Sequence, residues 1–224
     1  TGMINVGTGA LEYLVIRDAE SGSGSVVGAL SMTTDEIMTL HLAGYDQDDN
    51  FIRDVNAQWS VQGDIGSIST AGSFVTSTVF TASSIGTGTV QADTSTFQDQ
   101  TGLITVTGGA LSYLLIRDGG DGSGSVVGTV TMTTDSSLIL YAAGYDADDN
   151  YLSDVNADWS VSGTLDEVPL TGTYIVFDPT TPNTSGTIVA SSAGVTSDAT
   201  GMINVGTGAL EYLVIRDAES GSGS

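Results

Sequence analysis

Glu36-Ile-Met-Thr-Leu-His-Leu-Ala-Gly-Tyr45 and the following Asn56-Ala-Gln-Trp-Ser-Val-Gln62 decide the fold. In the first, Met38, Leu40 and Leu42 alternate with Thr39 and His41. In the second, Ala57, Trp59 and Val61 alternate with Gln58 and Ser60. A period of two places one apolar face on each segment, as in a half-buried strand. Outward from this pair, further short β-branched or aromatic runs lie at Ala10–Asp18, Phe74–Phe80, Thr87–Ala92 and Leu103–Val106, separated by Gly, Ser, Asp and Asn. No segment has a convincing helical period, and the expectation is an all-β chain.

The pattern recurs. Thr101-Gly-Leu-Ile-Thr-Val106 restates Thr1-Gly-Met-Ile-Asn-Val6, and the match continues through Trp59 and Trp159 before it needs gaps. A third copy, Thr200–Ser224, reproduces Thr1–Ser25 without a substitution. The repeating unit is therefore a pair of unlike domains, each of roughly 100 residues. The expected division is a closing strand of a preceding domain at 1–7, domain A at 8–106, domain B at 107–205, and the opening strand of a further domain A at 206–224. A linear array with many such pairs in a longer parent chain is the expectation, with neighbouring copies as the main partners. Thr107-Gly-Gly109 makes the joint short, and the Gly/Ser stretches Ser21–Ser25 and Asp121–Ser125 fall inside domains as loops.

Composition narrows the function. A net charge of −23 on 224 residues argues against nucleic acid and anionic membrane surfaces, which need clustered cations, and favours cationic partners. Apolar residues make up 40% of the chain, enough for a core that an acidic disordered tail lacks. Cysteine is absent, and Arg17, Arg53, Arg117 and Arg216 are the only strong cations. Cohesion is then non-covalent, with no disulfide and no lysine cross-link. No apolar run is long enough for membrane insertion.

A core tryptophan on the third strand and several short antiparallel strands per repeat fit an immunoglobulin-like β-sandwich. The stretch Ala43-Gly-Tyr-Asp-Gln-Asp-Asp-Asn50 leading to Trp59-Ser-Val-Gln-Gly63, repeated as Ala143–Asn150 leading to Trp159–Gly163, resembles the bacterial immunoglobulin-like domains found in tandem in invasin- and intimin-type surface proteins. Gly86-Thr-Gly-Thr-Val90 adds to the likeness. The resemblance implies an extracellular or cell-surface spacer or adhesive module, and no shared chemistry. The family pattern often has glycine where this chain has Asp49 and Asp149.

The most concentrated chemistry is acidic: Asp46, Asp48, Asp49 and Asp54, with Asp146, Asp148, Asp149 and Asp154. Two readings stand beside each other. One is a polar turn, which Asp and Asn favour. The other is calcium, since Asp46-x-Asp48-x-Asn50 has the alternate spacing of oxygen ligands, although Phe51 and Ala57 occupy the positions where an EF-hand has Gly and Glu. In sandwich topology, Asp18 and Glu20 are expected to approach Asp146, Asp148 and Asp149, while Asp118 and Asp121 approach the next copy. A bound calcium ion would turn repulsion between such carboxylates into a clamp.

Catalysis has little basis. His41, the lone histidine, aligns with Tyr141 and lies on the polar face of its strand, so no triad repeats. The chain is expected not to be an enzyme. The competing function is an adhesin or carbohydrate-binding module facing a glycan or host surface, with Tyr45, Phe51, Tyr145 and Tyr151 either stacking on ligand or pinning the acidic loop. Arg17 and Arg117 are expected to pair with carboxylates. Gly2–Val6 and Ala209–Asp217 read as unpartnered strands, open to exchange between chains in a filament.

Overall fold

The computed structural model describes residues 2–215. The described residues are all-β, and they divide into two compact units: Thr1–Leu111 with Asp146–Asn150, and Ser112–Tyr145 with Tyr151–Ser224.

The first unit contains β1 (Tyr13–Arg17), β2 (Leu30–Thr33), β3 (Ile37–Tyr45), β4 (Phe51–Asp54), β5 (Ala57–Gln62), β6 (Gly66–Ile68), β7 (Phe74–Val75), β8 (Ser77–Ala82), β9 (Gly86–Asp93), β10 (Gln98–Gln100) and β11 (Ile104–Thr107). One sheet runs β1-β3-β8-β6, with β4 also on β3. The other runs β2-β11-β9-β5-β7, with β10 on β9. β2 lies parallel to β11, and the other pairs are antiparallel.

The alternation of β3 and β5 puts Leu40, Leu42, Ala57 and Trp59 into one core with Ile16, Phe80, Val90 and Ile104. The indole Nε1 of Trp59 donates to Val75 O at 3.1 Å, so the ring is buried without leaving its one donor unpaired. Gly102 brings the chain across β2 at close range: a Cβ there would lie 2.2 Å from Ala29 N. Only glycine permits that approach, and it sets the course of β11.

The second unit contains β12 (Tyr113–Arg117), β13 (Val130–Thr133), β14 (Leu138–Tyr145), β15 (Tyr151–Asp154), β16 (Ala157–Val161), β17 (Thr171–Gly172), β18 (Tyr174–Phe177), β19 (Thr184–Gly186), β20 (Ile188–Ser191), β21 (Asp198–Ala199) and β22 (Ile203–Gly206). β12-β14-β15 with β18 form one sheet, β17-β16-β20-β21 a second, and β13-β22-β19 a third. Trp159 occupies the place of Trp59, and its Nε1 donates to Gly172 O at 2.9 Å. The stretch between β16 and β17 is irregular. There Asp166 accepts the backbone N–H groups of Thr180 and Thr181 at 2.6 and 2.9 Å, replacing ladder bonds with carboxylate bonds.

Gly2–Val6 and Ala209–Ile215 read as strands in sequence but adopt none. Neither is paired with a sheet, and an isolated strand has nothing to satisfy its backbone. The end of the Ala209–Asp217 segment lies outside the described residues.

Candidate functional site

The acidic stretch is a tight loop between β3 and β4. Asp46 caps it: Oδ1 accepts the N–H of Asp48 at 3.0 Å and of Asn50 at 2.9 Å, and Oδ2 accepts Gly9 N at 2.7 Å. The Asn50 amide donates to the same carboxylate. The N–H groups of Gly9 and Asn50 hold the Asp46 carboxyl below the usual carboxylate range, against the effect of its burial.

Asp146 repeats the arrangement with Asp148 N, Asn150 N and Gly109 N, and adds the Thr34 hydroxyl, which donates to Oδ2 at 2.7 Å. Burial pushes the Asp146 carboxyl up, but the bonds from Thr34, Asn150 and Gly109 outweigh it, and the net direction is down. Asn150 also donates from Nδ2 to Ser83 O at 3.0 Å.

Asp49 and Asp149 sit at φ of 63° and 67°. This is the left-handed region that a glycine would enter freely and that Asp tolerates. The turn therefore keeps the glycine-type backbone without the glycine. Asp49 Oδ1 also accepts the Tyr13 hydroxyl at 2.7 Å, which pushes that phenol up to about 12.

The remaining acids bond within their own loops or stand exposed. Asp18 and Asp118 close their own Gly/Ser loops, accepting Ser25 N at 2.7 Å and Ser125 N at 2.6 Å. The first loop folds over β4, with Ser21 N donating to Asp54 and Gly22 against the Phe51 ring. The second does the same with Asp154 and Tyr151. Thr34, Ser83 and Gly109 contact the Asp146–Asn150 loop where Asp18 and Glu20 were expected. Glu20, Asp48, Asp121 and Asp148 are exposed. Among the described residues, no group of three or more His, Cys, Asp or Glu side chains is arranged to hold a metal ion.

The aromatic residues that flank the acidic loops form a matching cluster in each unit. Tyr13 stacks on Tyr45 at 5.4 Å between centroids, and Phe51 meets Tyr45 edge-on at 6.0 Å. Tyr113, Tyr145 and Tyr151 repeat the motif. Tyr45 and Tyr145 are buried, and so hold the loop to the sheet. The Tyr151 hydroxyl is pushed up to about 12 by burial and by its bond to Asp154. Arg17 and Arg117 depart from the expected carboxylate pairing. Each guanidinium lies over a tyrosine, 5.5 Å from Tyr45 and 5.7 Å from Tyr145, and donates to a loop carbonyl, Gly24 O or Gly124 O.

Two carboxylate sets escaped the reading of the sequence. Asp99 accepts Ile16 N at 2.6 Å, and Asp198 accepts Ile116 N at 2.7 Å. Asp35 accepts Ala110 N at 2.7 Å, and Asp135 accepts Ala209 N at 2.5 Å. The signal was available: Asp99 and Asp198 each stand two residues before the Thr-Gly that opens a repeat. The first unit also has an open groove of about 430 Å³ lined by Leu11, Arg53, Phe74 and Phe97 among others.

No protein-family model matches the chain, and no curated protein matches it. Solved structures with a similar chain course include the Escherichia coli adhesin FdeC, with TM-score 0.40 and 15% identity over 90% of this chain and 67% of that one. Domains 4 and 5 of the S-layer protein SbsC give TM-score 0.31 and 13% identity over 88% of this chain and all of that one (100%). The Yersinia pseudotuberculosis adhesin InvE gives TM-score 0.31 and 12% identity over 79% and 56%. Similarity this distant carries no argument about function.

Proposed function

We propose that this chain is a structural repeat module of a bacterial extracellular fibre or surface stalk, and that its acidic loops hold the fold rather than perform chemistry. The supporting observation is the recurrence of one device at each repeat boundary. The segment leaving each unit is tied to that unit by a backbone N–H bonded to a carboxylate, Ala110 to Asp35 and Ala209 to Asp135. A repeat whose exit is fixed in the same way each time suits serial extension. The carboxylates that a catalytic reading would need are already accepting backbone N–H bonds, as at Asp46 and Asp146. Immunogold labelling of cells with antibody against the chain is the test. Labelled surface or secreted fibres support the reading, and label confined to the cytoplasm overturns it.

The adhesin alternative has one favourable observation, the groove with Phe74 exposed beside Phe97 and Arg53. Aromatic rings in an open groove suit the apolar face of a sugar. A glycan array probed with the chain and with Phe74→Ala tests it. Specific binding lost in the variant would move the function to recognition.

A further inference from the structure

We propose that the outer face of β5, β9 and β10 in the first unit binds a neutral polysaccharide, with Phe74 stacking on a sugar ring and a bank of glutamine amides bonding the sugar hydroxyls. The proposal goes beyond the fibre reading and does not rest on it, since a stalk can carry such a face.

The face follows from the strand register. Phe74 pairs with Gln58, Gln58 with Asp93, and Asp93 with Gln98, so these side chains form one row across β7, β5, β9 and β10. Gln100, Gln91 and Ser60 form the next row, and Thr89 and Gln62 a third. The alternate residues, Ala57, Trp59, Val90 and Ala92, belong to the core. The chain has six glutamines, and five of them, Gln58, Gln62, Gln91, Gln98 and Gln100, lie on this face.

The fold does not require them. The second unit sets Trp159 and Asp198 opposite Ala190, as the first sets Trp59 and Asp99 opposite Ala92. In that register the five glutamines become Asp158, Ser162, Val189, Ser197 and Ala199. The sheet and its core tryptophan persist without one of these amides, so the bank is surface chemistry particular to the first unit.

That chemistry selects the ligand. Gln91 Nε2 donates to Gln98 Oε1 at 3.0 Å, and Gln91 Oε1 accepts Gln62 Nε2 at 3.4 Å. These bonds align the amides, while Gln58, Gln98 and Gln100 stay exposed. Gln91, Gln98, Asp99 and Gln100 line a hollow of about 240 Å³. An amide both donates and accepts, which complements a hydroxyl that does the same. Phe74, 58% exposed at the end of its row, offers a ring to the C–H face of a pyranose.

Charge narrows the class further. Asp93 is the only charged side chain in the three rows, and its carboxylate already accepts Ser95 N at 2.6 Å. With a net charge of −23 and no cation on the face, an anionic glycan is repelled, and a cationic partner finds more acid elsewhere on the chain. Three interstrand spacings make the Phe74 row about 14 Å long, the span of a short oligosaccharide. A β-linked glycan, flat and ribbon-like, lies along it.

The test is affinity electrophoresis of the whole chain in native gels cast with hydroxyethylcellulose or xyloglucan, both neutral, or with anionic carboxymethylcellulose. The neutral polymers are expected to retard the native chain, and the anionic one to bind about tenfold more weakly. Phe74→Ala and Gln98→Ala each weaken binding by about tenfold, and Gln91→Ala with Gln98→Ala by about a hundredfold, at an unchanged melting temperature. Arg53→Ala lies in the groove that shares Phe74 but none of the glutamines, and binds like the native chain. A native chain that neither neutral polymer retards overturns the proposal, even where sedimentation shows copies pairing through this face. Retardation that survives the glutamine double variant and is lost in Arg53→Ala also overturns it, because the sugar then sits in the groove. Neither result touches the fibre reading, which labelling of cells tests separately.

Discussion

The Asp99 carboxylate accepts the backbone N–H of Ile16 at 2.6 Å and so ties β10, in one sheet, to β1, in the other. Sandwich sheets pack mainly through side chains, so a carboxylate across the edge adds a hydrogen-bonded link between them. Asp198 and Ile116 form the same link in the second unit. Asp99→Ala leaves the N–H of buried Ile16 unpaired and is expected to cost about 1–3 kcal/mol, while Asp99→Asn keeps an acceptor and costs less. Equal losses in the two variants by denaturant unfolding would contradict a hydrogen-bonding role.

The same staple predicts a pH dependence. Burial raises the Asp99 carboxyl above its ordinary value, outweighing the bonds from Ile16 and Gln100. The folded state then binds the proton more tightly than the unfolded state. Its contribution is fully present below the ordinary carboxylate value and is lost as pH rises through the raised one. Asp99→Asn removes this component, so its stability relative to the native chain should improve as pH rises across that window. Parallel melting curves with no such crossover would count against it.

Asp46, Asp146 and Asp166 act in the opposite sense. Bonds from Thr181 and Thr180 lower Asp166 to about 2, and Asp46 and Asp146 are also lowered. Their stabilisation is present above the ordinary value of 3.8 and is lost as pH falls, for Asp166 toward about 2. The chain is expected to lose stability over this range, and Asp166→Asn should be less acid-sensitive than the native chain. Melting temperatures in a pH series from neutral to strongly acidic are the check.

Gly102 and Gly201 bear on the same strand of each unit. An added Cβ would sit 2.2 Å from Ala29 N in the first unit and 2.4 Å from Gly128 C in the second. Backbone cannot move aside as a flexible side chain can. Gly102→Ala and Gly201→Ala are each expected to destabilise their unit by about 1–3 kcal/mol or more. Trp59 and Trp159, one per unit, report the two transitions separately by fluorescence, read in Trp159→Phe and Trp59→Phe backgrounds.

The strands were legible because their period is local: β3, β5 and their repeats follow the alternation around Leu40 and Trp59. The turn was legible too, since Asp and Asn announce it. The partners of the carboxylates were not. Whether Asp46 binds a cation or backbone N–H groups depends on Gly9, far away in sequence, and on the path that Gly102-type close approaches impose. Arg17 was misread for a related reason. The register pairs Arg17 with His41 and Tyr13 with Tyr45, and the long Arg17 side chain reaches along the sheet to lie over the Tyr45 ring, a contact that sequence spacing alone does not show.

Calcium separates the two readings of the acidic loop. The Asp46 and Asp146 oxygens already accept N–H bonds that a metal ion would have to displace, and Asp18 and Asp118 close their own loops. A cation would then act mainly by screening the net charge of −23. Calcium is expected to raise the melting temperature no more than magnesium at equal ionic strength, and chelator should leave it unchanged. A saturable rise specific to calcium, abolished by Asp48→Asn with Asp148→Asn, would establish a metal clamp and reverse this reading of the loops.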